Sequence, residues 1–130
     1  MTGDSSMTPG EQLQWARYLL DHGSVDTAGV WPRASALLAR HALEQLLEDF
    51  WSPIAPSLVA TRNVRAQLIA LRGYEPVRES ASPVSAAYAG LCRGCHHHPY
   101  ELPPTRSELD WLLTTVEQFA VTVTAAATRP

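Results

Sequence analysis

The densest chemistry in the chain lies in ten consecutive residues, Leu91-Cys92-Arg93-Gly94-Cys95-His96-His97-His98-Pro99-Tyr100, which hold both cysteines and three of the five histidines. Three chemistries suit these residue types. Cys92 to His96 spells C-x-x-C-H, the spacing of covalent haem attachment, in which both thiols become thioethers and the histidine becomes an axial ligand. That reaction normally follows export. Cys92, Cys95 and two of the histidines are also suitable donors for zinc. Tetrahedral structural sites usually gather two ligand pairs from separate segments, however, and the chain holds no second pair, so neither a metal nor another cofactor is expected unless a dimer pools its ligands. The third chemistry joins Arg93 to a histidine. A guanidinium that holds a phosphate beside an imidazole that moves protons is the minimum for cleaving RNA without a metal. The ribose 2′-hydroxyl would be the nucleophile, His98 the base or acid, and Arg93 the stabiliser of charge on the phosphorus oxygens. On a continuing helix Arg93 and His97 lie ~40° apart. His98, held extended by Pro99, can instead swing back towards Arg93. His96 and Tyr100 are the neighbours that would contact substrate.

The rest of the composition bounds what such a site can be. At 130 residues and 45% apolar content, the chain is expected to be one domain, residues 1–130, with its own hydrophobic core. Four Trp and four Tyr with only 18% charged residues exclude wholesale disorder. A net charge of −3 argues against bulk electrostatic binding of nucleic acid and leaves room for a local basic site. All ten cationic residues are Arg. No apolar run approaches the roughly 20 residues of a membrane span, and MTGDSSMTPGEQ lacks the basic start and apolar stretch of an export signal. The expectation is a soluble, cytoplasmic protein with reduced thiols and no membrane partner.

The elements that would position the site are helices, because apolar residues recur at helical spacing almost throughout. The first starts at Thr8 with Pro9 and Glu11 in a capping box, buries Leu13, Ala16, Leu19 and Leu20, and ends at Gly23. The second begins between Asp26 and Pro32 and runs to about Trp51, with Ala36, Ala39, Leu43, Leu46, Leu47 and Phe50 in one stripe. Its other face carries Arg33, Arg40, His41, Glu44 and Glu48, and Arg40 and Glu44 form an i,i+4 pair that reads as a solvated face. A third helix is expected from Pro56 to Leu71, using Leu58, Val59, Arg62, Ala66 and Ile69, followed by a loop from Tyr74 to Ser82. The fourth starts at Ser82 and Pro83, turns Val84, Tyr88, Leu91 and Cys95 inward, and ends near His97. The last begins at a second capping box, Thr105 with Glu108, and buries Leu109, Leu112, Leu113, Val116, Phe119, Ala120 and Val123. Trp111, Trp31 and Leu38 fall off the main stripes, which predicts a second buried surface or a contact between subunits. Residues 1–7 and 126–130 read as frayed ends.

The segment ASALLARHALEQLLEDF (Ala34 to Phe50), together with Tyr88 to Phe119 and its R-x4-H spacing at Arg93 and His98, resembles the HEPN superfamily of small α-helical bundles. The likeness spans both helical blocks of that family. It implies an all-α, up-and-down bundle of four to five helices that forms a homodimer and gathers Arg and His from both subunits in one cleft. It also implies a metal-independent endoribonuclease acting on RNA, of the kind found as toxins paired with an antitoxin or as components of phage defence. Arg93 and His98 take the motif positions, with His97 left open as the alternative. The residue after the motif arginine is commonly polar in catalytic members, and here it is Gly94. Other relatives are inactive and serve as protein-binding or dimerisation modules. For this chain such a module would use the surface carrying Trp31, Leu38 and Trp111.

Overall fold

Thr8 starts the first helix as a capping box requires. Its hydroxyl accepts from Glu11 N at 3.1 Å, and its own N–H donates to Glu11 Oε1 at 3.0 Å, so two amides with no partner in the helix are satisfied at once. In the computed structural model, which describes residues 7–27, 29–95 and 102–127, this helix is α1 (Pro9–His22). It is followed by α2 (Trp31–Trp51), α3 (Pro56–Ala60), α4 (Val64–Ala70), α5 (Ala81–Cys95) and α6 (Arg106–Ala127). Short 3-10 turns fill Val25–Thr27, Leu71–Gly73 and Glu75–Ser80. The fold is all-α, with no strand among the described residues. No helix is long and apolar enough to cross a membrane among those residues.

The longest apolar stripe makes α2 the central element: α1, α5 and α6 pack around it, with α3 and α4 at its C-terminal end. Ala36, Ala39, Ala42, Leu43 and Leu47 are wholly buried on α2, as are Leu109, Leu113 and Val116 on α6. Three alanines on the central helix let its neighbours approach closely, and the leucines fill the space between. Ser35 Oγ, buried in this seam, donates to Ala16 O at 2.9 Å and ties α2 to α1. At the other end Trp51 Nε1 donates to Gln67 O at 3.2 Å, while Phe50, Trp51 and Tyr74 meet edge to face.

The structure departs from the expected elements where local polar chemistry interrupts the apolar pattern. The single helix expected from Pro56 to Leu71 is two helices. Arg62 adopts a left-handed φ of 55°, and Asn63 restarts the chain by accepting from Ala66 N at 3.0 Å, so its side chain caps α4 instead of continuing α3. With the register reset, Gln67 and Leu68 are buried and Ile69 faces solvent. The expected loop before α5 is a 3-10 turn that buries Val77 and runs into α5 at Ala81, one residue before Ser82. α6 extends to Ala127, beyond the start of the expected frayed end; residues 1–6 and 128–130 lie outside the described residues.

Trp31 takes the first of the two expected readings, a second buried surface within the bundle. It is buried, with the Arg106 guanidinium 4.9 Å above its ring. Arg106 donates to the carbonyls of Leu20 and Gly23, so one cation covers the indole and closes the C-terminus of α1. Leu38 packs against the core as well. Of the surface expected from Trp31, Leu38 and Trp111, only Trp111 stands open, at 51% exposure.

Candidate functional site

Arg93 lies in the last turn of α5 and is exposed. It makes no hydrogen bond or ion pair with any described residue. Its side chain lines a cleft of about 650 Å³ between α5 and α6, with Gly90, Glu108, Trp111 and Leu112 among the other lining residues. Leu102 and Pro104 also line this cleft. Gly94 and Leu102, described residues on either side of the histidine segment, thus both line the cleft. His96, His97, His98 and Tyr100 themselves lie outside the described residues.

Gly94 has a packing reason to be glycine. It is buried, and a Cβ there would meet Ala36 Cβ and Pro104 Cγ at 3.2 Å each. The position that is commonly polar in the resembling family is occupied here by the close approach of α5 to α2 and to the strap before α6. Gly90 is similar: a Cβ would come within 2.8 Å of Leu112 Cδ2. Small residues thus bring α6 close beside Arg93 and form the floor of the cleft.

On the opposite flank of the same helix is a polar network that the sequence does not announce. Arg40 Nε donates to Glu44 Oε2 at 3.2 Å, and Tyr88 Oη donates to the same oxygen at 2.7 Å. Arg40 Nη1 lies 3.2 Å from Cys95 Sγ, whose thiol points to Cys92 O at 3.6 Å. Arg40 and Glu44 are only 29% and 27% exposed, so the pair that reads as a solvated face is a half-buried tie between α2 and α5. Burial first, and then the hydrogen bond to the Glu44 carboxylate, push the Tyr88 phenol above its ordinary value. The hydrogen bond to Cys95 raises Arg40 most, with burial opposing and Glu44 adding to it. This network grips the two turns that precede and include Arg93, and its chemistry is that of positioning: no member of it lines the cleft at Arg93.

The two cysteines are free thiols, both half-buried. Among the described residues no group of three His, Cys, Asp or Glu side chains could hold a metal ion, and the histidines that the zinc and haem chemistries need lie outside them. His41 is exposed on α2. A second cleft, about 480 Å³, runs between α4 and α5 and is lined by Arg65, Arg72, Ser85 and Tyr88. No apolar stripe reveals it, although the seven-residue spacing of the two arginines is visible in the sequence.

No family model matches this chain, no curated protein matches it in sequence, and no solved structure matches its fold.

Proposed function

We propose that the protein is a metal-independent endoribonuclease of HEPN type, acting as a homodimer in which Arg93 and His98 of both subunits share one cleft. The observation that carries this reading is the state of Arg93: a guanidinium at a helix end with no partner among the described residues, open to a cleft that Gly94 and Leu102 also line. An arginine kept for structure would be expected to cap carbonyls or pair with carboxylates, as Arg106 and Arg17 do. Among the described residues Arg93 does neither, although Glu108 lines the same cleft, because Glu108 is turned to cap Thr105.

In this mechanism Arg93 holds the non-bridging phosphate oxygens and offsets the charge that grows on them. His98, or His97 in its place, removes the proton of the 2′-hydroxyl as that oxygen attacks phosphorus, and a second histidine protonates the departing 5′-oxygen. His96 and Tyr100 hold the flanking nucleotide. The products are a 2′,3′-cyclic phosphate and a 5′-hydroxyl, so incubation of a labelled oligoribonucleotide with EDTA present tests the reading. Fragments ending in cyclic phosphate, and none from a fully 2′-O-methylated substrate, are expected. Cleavage of both substrates, or cleavage that stops with EDTA, contradicts it. A role as a toxin held by an antitoxin, or in phage defence, would follow from such an activity.

One observation favours a second reading, an inactive module that binds a protein. Trp111 and Leu102 stand 51% and 92% exposed on the wall of the same cleft, and large apolar side chains are favoured anchors for a partner. Cleavage by purified protein decides between the two.

A further inference from the structure

We propose that the cleft between α4 and α5 is a backbone-binding groove for single-stranded nucleic acid, with Arg65 and Arg72 as its phosphate contacts; that the strand is RNA rests on the reading above. Both arginines line the groove, both are exposed, and neither has a partner among the described residues. No carboxylate lines the groove among the described residues, and Glu44, which the groove-lining Tyr88 contacts, is committed to Arg40 and Tyr88. In a chain of net charge −3, two uncompensated guanidiniums around one concavity form a local positive site against the overall sign.

Their spacing indicates a polymer. Arg65 lies in the first turn of α4 and Arg72 in the 3-10 turn that follows it, roughly two helical turns or ~10 Å of rise apart, so the two charges are spread along the groove instead of meeting at a point. Between them Ile69 is 56% exposed and lines the same groove. A free phosphate has no use for that apolar surface, whereas a nucleic-acid strand presents sugar and base faces between its phosphates. Ser85 adds a hydroxyl group on the facing wall.

The groove also connects with Arg93. Ala89 lines it, while Ala86 and Gly90 line the cleft at Arg93, so the two clefts flank α5 and only small side chains form the ridge between them. A strand gripped by Arg65 and Arg72 can cross that ridge and reach Arg93 without meeting a bulky side chain.

The test is fluorescence anisotropy of a labelled 2′-O-methyl oligoribonucleotide with the full chain. This probe cannot be cleaved through its 2′ position, so binding is read whether or not Arg93 and His98 cut RNA. The double variant Arg65→Gln/Arg72→Gln is expected to bind at least about five-fold more weakly, and to lower the slope of log K against log salt by about 1.4, two contacts at ~0.7 each. Arg78→Glu, which removes the same two units of charge from the 3-10 turn before α5, should change affinity less than about two-fold. Equal losses in the two variants, wild-type affinity in the double variant with an unchanged melting curve, or displacement of the probe by inorganic phosphate as readily as by unlabelled strand would each overturn the proposal.

Discussion

Arg40 and Cys95, 55 residues apart in sequence, meet with Nη1 3.2 Å from Sγ. The contact fixes the last turn of α5 against the central helix, two residues from Arg93. A charged donor reaching a half-buried sulfur would be poorly placed without its second partner, and Glu44 supplies that partner on the same face of α2. Arg40→Ala should therefore lower stability by about 1 kcal/mol, the scale of a partly exposed charged hydrogen bond discounted for screening. Urea unfolding measures it. Cys95→Ala should cost less, since it leaves the Arg40–Glu44 pair in place.

Gly94 gives a sharper expectation. Replacing it with Asn restores a polar residue after Arg93, but the new Cβ meets Ala36 Cβ and Pro104 Cγ at 3.2 Å. Ala36 is wholly buried on the central helix and a proline ring has little freedom, so neither neighbour yields easily. A loss of about 1–3 kcal/mol is expected from overpacking, enough to outweigh the higher helix propensity of the new side chain. A melting temperature equal to that of the wild type would show that α5 can move away from α2.

Tyr88 predicts a pH dependence. Its phenol is raised in the folded state, first by burial and then by Glu44, so the native state holds this proton more tightly than the unfolded chain. That stabilisation is fully present below the ordinary tyrosine value of about 10, and it declines as pH rises above that value. Absorbance titration of the folded protein should show a late-ionising tyrosine component, and Tyr88→Phe should abolish it. The alkaline decline in stability should also be shallower in Tyr88→Phe.

The two off-stripe tryptophans should respond in opposite ways. Trp31 is buried beneath Arg106, and a Cβ on Gly23 would overlap its indole, so this site has no slack. Trp31→Ala is expected to cost about 3–5 kcal/mol. Trp111→Ala, on the open wall of the Arg93 cleft, should stay within about 0.5 kcal/mol of the wild type. Thermal melts of the two variants separate a core residue from a surface one.

This contrast shows which features were legible in the sequence. The helix starts were, because Thr8 with Glu11 and Thr105 with Glu108 carry local chemistry that only a helix N-terminus uses. The stripes of α2 and α6 were legible for a related reason: burial repeats at the helical period. For Trp31 the sequence left burial and a subunit contact both open, because the cation that covers its ring, Arg106, comes from a distant part of the chain. The break at Arg62 follows from Asn63 preferring to cap, a choice that an apolar pattern hides. At the candidate site, the exposure of Arg93 agrees with its place opposite the core stripe of α5. The tie from Arg40 to Cys95 depends on how α2 and α5 pack and has no local signal. The opposed small residues Gly90 and Gly94 acquire meaning only beside Leu112, Ala36 and Pro104.

The most direct measurement of the central claim is the rate at which purified protein cleaves a mixed RNA with EDTA present, compared among wild type, Arg93→Ala and His98→Ala. Loss of at least about 100-fold in both variants, with melting curves unchanged, is the predicted result, on the scale of removing a general acid–base group or a charge-stabilising donor. Wild-type rates in both variants would contradict the account.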